Sequence, residues 1–346
     1  MKLGIIGLPG AGKSTLFEAL TKIVQDETSR KPEDRLGTIR VPDERVDRLS
    51  AMYNPKKTIF AQVEYLLPYI PMQKPGGQKG DETAWSTVRT CDALIHVVRN
   101  FRGFGEEPAT PLDDFAKVNE EMIFADLLVV EKRLERLELD QKRGKKADQD
   151  ELRLLLECKE MLEKEKPLRH KAELAAAPKL RGFTFLSGKP MLILFNNEDE
   201  VEETPRVGDT LAGEKYLAIR GRLEHELAQM DEEDAKEYLA EFNITTSAMD
   251  RMITLSYELL GLISFFTVGP DEVRAWTIRK DTMAVDAADV IHSDIKKGFI
   301  RAEVVAYKDL MEAGSYKDAR QNGTVRLEGK TYAVQDGDVI EFRFNV

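Results

Sequence analysis

Gly7-Leu8-Pro9-Gly10-Ala11-Gly12-Lys13-Ser14-Thr15 stands near the start of the chain and fits the spacing G-x-x-x-x-G-K-[ST], with an apolar run before it and a helical pattern after it. Glycines at these intervals let the backbone turn sharply and come close to an anion. The loop N–H groups and the N-terminus of the following helix then make a nest for phosphate. Lys13 is expected to reach the β- and γ-phosphates, and Ser14 to offer its hydroxyl to Mg²⁺. The expected cradle is Pro9, Gly10, Ala11, Gly12, Lys13, Ser14 and Thr15. Its chemistry is the binding of a nucleoside triphosphate with Mg²⁺. Without a ligand the same segment is only a glycine-rich turn.

A second polar group, Asn196-Asn197-Glu198-Asp199, leaves the apolar run Met191 to Phe195. Its Asn-x-x-Asp spacing matches a base-recognition element usually written Asn-Lys-x-Asp. The aspartate there accepts both N1–H and N2–H₂ of guanine, a pairing that adenine cannot offer. Asn196, Asn197 and Asp199 are therefore the expected base-side residues, with Asn197 where a lysine normally packs along the base. The plain alternative is a polar exit from a strand into a loop. GTP is favoured modestly over ATP, and the bound nucleotide is a purine.

Both groups need strands to position them. Lys2 to Ile6, Gly37 to Val41, Ile59 to Leu67, Ala93 to Val98, Met191 to Phe195 and Tyr216 to Ile219 are apolar runs of strand length. Lys13 to Thr21 begins a helix, and helical stretches separate most of the strands. The alternation predicts an α/β fold, a doubly wound P-loop domain with a mainly parallel sheet. Between Asp114 and Leu168, Ile123, Leu127, Val130, Leu134 and Leu137 form one apolar stripe, and Leu152, Leu155 and Leu162 resume it after a polar stretch. That predicts two antiparallel helices joined by a short loop. Asp231 to Phe265 is expected to be helical, and from Phe266 onward the pattern alternates as strands do. The expected division is 1–113 and 178–266 for the nucleotide-binding domain, 114–177 for an inserted helical hairpin and 267–346 for a small β-rich domain.

With 346 residues, 42% hydrophobic, 33% charged and a net charge of −11, the composition is globular and disfavours loose binding to free DNA. Docking on an RNA-containing particle through a local patch stays open. Cys91 and Cys158 are expected to be reduced thiols, and four scattered histidines make no zinc site. The start lacks the form of a signal peptide, and Leu259 to Val268 is too short to span a bilayer. The expectation is a cytoplasmic protein with no membrane association.

The chain resembles the YchF/Obg-like ATPase family of P-loop NTPases. The resemblance rests on GLPGAGKSTLFEALT, VPDERVDRL, TCDALIHVVRNF and LDDFAKVNEEMIFADL. It is closest in EVRAWTI, DVIHSDIKKGFIRAEVVAY and VQDGDVIEFRFNV, which look like the family's C-terminal TGS domain. The resemblance implies a slow NTPase switch that docks on the ribosome or another RNA-containing partner. The alternative is a non-hydrolysing nucleotide-binding adaptor; a small-molecule kinase fits neither the Asn-x-x-Asp element nor the TGS-like tail. Several departures bear on turnover. By register, Leu67 replaces the aspartate and Ile70 the glycine of the family's Asp-x-x-Gly motif, and Pro71 matches the apolar residue that the family has in place of a water-orienting glutamine. Arg30 lies near the first-switch threonine register, with Thr28 and Ser29 beside it. Lys74 to Asp81 is a shortened second switch, and replacement of the lost metal-shell carboxylate by Asp81 or Glu82 is disfavoured against a solvated loop end. The family commonly has Glu where Asp199 stands. His96, in the HVVR-like strand, is expected to be a buried structural residue.

Overall fold

The structure, a computed structural model, describes residues 1–22, 33–69, 85–103, 108–144, 146, 148–241 and 247–345. It divides into two compact units, Met1–Thr38 with Glu64–Met252, and Ile39–Val63 with Ile253–Val346.

The first unit is organised by a six-stranded sheet in the order β2-β4-β1-β5-β6-β7. Its strands are β1 (Lys2–Ile6), β2 (Arg35–Arg40), β4 (Gln62–Leu67), β5 (Ala93–Asn100), β6 (Met191–Asn197) and β7 (Lys215–Ile219). β1 runs parallel to β4 and β5, β5 to β6, and β6 to β7. Central strands of a parallel sheet are covered on both faces, which is why ALIHVV and MLILFNN are buried throughout. The predicted doubly wound, mainly parallel P-loop fold is what forms. Because parallel strands share a direction, the C-terminal ends of β1, β5, β6 and β7 lie along one edge of the sheet. The phosphate loop and the Asn196 group both leave from that edge.

The helix Pro111–Lys142 and the helix Gln149–Glu163 form the expected hairpin. Ile123, Val130, Leu137, Leu155 and Leu162 share one apolar cluster with Cys158, and Leu127, Leu134 and Leu152 pack against it. Arg133 makes a two-pronged bond to Glu151 across the pair, at 2.7 and 2.9 Å. Cys91 and Cys158 are both buried free thiols.

The second unit holds another six-stranded sheet, ordered β11-β10-β12-β8-β9-β3. It comprises β3 (Lys57–Ile59), β8 (Leu262–Thr267), β9 (Glu272–Arg279), β10 (Phe299–Ala306), β11 (Arg326–Glu328) and β12 (Asp338–Phe344). Phe265, Ile278, Phe299, Val304, Ile340 and Phe342 are in its core, beneath the helix Ala284–Ile291. Segment 39–63 supplies the helix α2 (Glu44–Tyr53) and β3, which runs parallel to β9. Arg45 pairs with Asp43 at 2.8 Å and Asp336 at 2.7 Å within this unit.

Two sequence expectations need correction. The helical pattern expected to reach Phe265 stops at Leu259, because Gly261 takes φ +63 and the apolar, aromatic run LISFFT that follows forms β8. The single strand expected from Ile59 to Leu67 is two strands, β3 and β4, in different sheets. Apolar continuity through Phe60 and Ala61 hides that change of partner.

Candidate functional site

The phosphate loop is shaped by two glycines that no other residue could replace without movement. Gly7 has φ +142, and a Cβ there would lie 2.3 Å from the Val97 carbonyl oxygen on β5. Gly12 has φ +93, and its Cβ would lie 2.2 Å from the Asn196 amide nitrogen. Both distances are inside van der Waals contact, so the loop exists only with bare backbone at these points. α1 (Lys13–Thr21) starts directly after Gly12 and aims its free N–H groups back across the loop. The fold thus sets Pro9, Gly10, Ala11, Gly12, Lys13, Ser14 and Thr15 around one helix N-terminus.

Lys13 folds over this loop. Its Nζ donates to the Gly7 and Leu8 carbonyls at 2.7 and 2.8 Å. Burial lowers its pKa to about 8. An ammonium taken out of water and held only by neutral carbonyls suits an arriving anion. Ser14 is exposed at the first turn of α1. Among the described residues, no group of three or more His, Cys, Asp or Glu is placed to hold a metal ion. A Mg²⁺ ion accompanying the phosphates would meet the Ser14 hydroxyl there. Leu67, at the register where the sequence resemblance implies a metal-shell aspartate, is 7% exposed at the end of β4 and offers no ligand. Ile70, Pro71, Lys74, Asp81 and Glu82 lie outside the described residues, as do Thr28, Ser29 and Arg30.

The Asn196 group divides by role. Asn196 is 6% exposed; its Nδ2 donates to the Ala11 carbonyl at 3.0 Å and its Oδ1 accepts the Gly221 N–H at 2.9 Å. One side chain thereby ties the phosphate loop to the chain leaving β7. Asn197, 4% exposed, donates to the Val201 and Glu203 carbonyls at 2.9 and 2.8 Å and accepts from Asn100 at 2.8 Å. It folds the loop of residues 198–203 upon itself, and both of its N–H donors are spent on the protein. Asp199 differs from both. Its Oδ1 is buried with no hydrogen-bond partner among the described residues, while Oδ2 lies 3.5 Å from the Arg222 Nε. A buried carboxylate oxygen without a donor is costly, and a ligand N–H would satisfy it. The residues present therefore fit a triphosphate at one end and an N–H-bearing base at the other.

Sequence reasoning missed several supports. Gly221 and Asn100 are invisible as site residues because they act only through Asn196 and Asn197. Glu18 on α1 bonds Arg35 at 3.1 Å and approaches His225 at 3.4 Å, joining α1, β2 and the helix Gly221–Gln229. Asp34 accepts the Tyr69 N–H at 2.8 Å and the Thr87 hydroxyl at 3.2 Å. No local motif marks either carboxylate. His96 is 1% exposed and stacked on Phe115 at 5.5 Å. Burial, with the Arg169 and Lys13 charges behind it, lowers its pKa to about 3, so the ring is neutral. It is the buried structural residue expected.

Comparison with known proteins finds relatives along the whole chain. A family model described as 50S ribosome-binding GTPase matches residues 2–133, and the YchF-GTPase C-terminal model, described as a protein of unknown function, matches residues 262–345. The "Ribosome-binding ATPase YchF" of Bacillus subtilis is 40% identical, over 99% of this chain and 99% of its own. That of Haemophilus influenzae is 37% identical over 100% of this chain and 99% of its own. The solved structure of the Schizosaccharomyces pombe YchF GTPase superposes with a TM-score of 0.83 at 29% identity, covering 99% of this chain and 97% of that one.

Proposed function

The chain belongs to the YchF family of nucleotide-binding P-loop NTPases, and from that premise we propose that it binds GTP in preference to ATP, with Mg²⁺, as a slow nucleotide switch that docks on the ribosome. The observation that carries the base preference is the unpartnered Asp199 Oδ1. Relatives are described both as ATPases and as a GTPase, so the reading rests on this chain's own carboxylate. A site built around an acceptor penalises a base that leaves it unpaired. Calorimetric titration of GTP, ATP and their diphosphates, with and without Mg²⁺, tests it. Equal GTP and ATP affinities would overturn the base assignment. Ser14→Ala should weaken triphosphate binding less when Mg²⁺ is absent. Co-sedimentation with ribosomes in each nucleotide state tests the partner.

Turnover is expected to be slow because catalysis of phosphoryl transfer is mostly positioning and charge stabilisation. Lys13 and the loop N–H groups supply charge stabilisation at the phosphates. Buried Leu67 supplies none to the metal shell. Loss of one positioned stabiliser costs about 10²–10³ in rate. That same leucine favours the second reading, a non-hydrolysing adaptor. Single-turnover hydrolysis of the parent chain against Leu67→Asp separates them: measurable turnover that Lys13→Ala abolishes supports the switch, and none supports the adaptor.

A further inference from the structure

The second unit's sheet contains a gap one strand wide. β12 bridges β8 at a single position, Val339 with Phe266, and β8 ends one residue later at Thr267. β12 runs on to Phe344. On the far side of β8, the β9 partner of Thr267 is Arg274, so β9 also reaches past the end of β8, to Glu272. Two strands therefore continue where the strand between them stops. A cavity of about 360 Å³ lies there, lined by Glu341, Phe342 and Phe344 from β12 and by Glu272 and Trp276 from β9.

The lining is specific in three respects. Ile291, Ile295, Trp276, Phe342 and Phe344 make the interior apolar. Glu272 and Glu341 are the charged side chains of the lining, which holds no basic one; Arg274 and Arg343 approach these carboxylates, at 3.9 and 3.0 Å, from outside it. Tyr53, at the end of α2, lines the cavity as well, and its hydroxyl is buried without a partner among the described residues. A buried, unsatisfied hydroxyl in a cavity calls for a polar group brought in from outside. Among the described residues, the side of β12 away from β10 has no neighbouring strand from Ile340 to Phe344, which is the arrangement that captures an extended chain by strand addition.

We propose that this cleft is a docking site for an extended, basic and apolar peptide segment of a protein partner, which adds as a short strand beside β12, places an apolar side chain among Trp276, Phe342 and Phe344, and sets a lysine or arginine against Glu272 and Glu341. The backbone of the guest supplies the group that Tyr53 lacks. Glu272 and Glu341 line the slot while their Arg274 and Arg343 partners approach from outside it, so a guest lysine or arginine competes with these exposed ion pairs and an acidic strand is disfavoured. The inference goes beyond the nucleotide reading and does not depend on it, since every lining residue belongs to the second unit.

The test is fluorescence polarisation on the full chain, without nucleotide, using a short fluorescein-labelled peptide of alternating lysine and valine. Two controls replace its lysines by glutamates or its central valine by proline. Saturable binding is expected for the basic peptide, with each control weaker by about tenfold or more. Glu341→Lys and Phe344→Asp, both at half-exposed positions, should each weaken the basic peptide by a similar factor, and Tyr53→Phe by less; thermal melting confirms that the variants are folded. The proposal is overturned if the glutamate peptide binds as well as the lysine peptide, if the proline peptide is unaffected, if folded Glu341→Lys and Phe344→Asp both bind like the parent, or if no peptide saturates.

Discussion

The phosphate cradle and the base-side loop both leave the C-terminal ends of parallel strands, β1 and β6, but they are held in opposite ways. The cradle is a backbone structure. Gly7 and Gly12 have positive φ and neighbours too close to admit a Cβ, and Lys13 rests on backbone carbonyls. The base-side loop is a side-chain structure. Two asparagine side chains bond to the protein itself, and one carboxylate oxygen has no partner among the described residues. A motif of three polar residues thus separates into two that bond within the protein and one with an acceptor to spare, which is the proposed base contact. Substitutions in the cradle should affect any triphosphate alike, whereas those in the loop should divide into base-specific and base-blind effects.

Lys13→Ala should have the largest effect. It removes charge-assisted contacts to phosphate and should weaken GTP and ATP together by about 100-fold. Calorimetry on folded protein measures this, and unchanged affinity would remove the cradle from the binding site altogether. Asp199→Ala comes next and should divide the two nucleotides. GTP affinity should fall by about tenfold or more as a donor pair loses its acceptor, with ATP nearly unchanged. An equal fall for both would make Asp199 a scaffold residue like its neighbours and erase the distinction drawn above. Asn197→Ala should do what Asp199→Ala does not. With the Val201 and Glu203 carbonyls and the Asn100 amide left unpaired, it should cost about 1–3 kcal/mol of stability in a melt. Its effect on the two nucleotides should be small and equal.

The same contrast explains what the sequence makes legible. Backbone-built features announce themselves locally, so the cradle, the strand ALIHVV and the hairpin stripe can be read within windows of a few turns. The roles of Asn196 and Asn197 cannot, because their partners Ala11 and Asn100 stand 185 and 97 positions away. From spacing alone, Asn197 looks like a substituted base contact; only the folded chain shows it occupied with carbonyls. Segment 39–63 is another case. Its helix and strand periods are plain, yet its membership of the second sheet depends on Lys57 to Ile59 meeting Glu272 to Arg274, and no local pattern states that pairing. Asp34 and Glu18 look like ordinary surface carboxylates in sequence, and their importance comes from what the fold brings to them.

The smallest expected effect is a pH dependence confined to the cradle. Burial sets the Lys13 ammonium at about 8, against 10.5 for the free side chain. In the ligand-free protein, burial of the charge opposes folding fully below about pH 8. That opposition is relieved as the pH rises toward 10.5, because the unfolded chain then binds the extra proton, so stability gains across this window. Triphosphate binding has the opposite sign. It needs the charged form and holds the proton there, so above about pH 8 the protein must take up a proton to bind. Affinity should fall about twofold between pH 7 and 8, and more steeply beyond. ATP and GTP should show the same slope, since the effect lies at the phosphates and not at the base. Lys13→Arg, which stays charged throughout this range, should flatten it. A slope that persists in Lys13→Arg, or that appears for one base alone, would move the titrating group out of the cradle and toward the loop around Asp199.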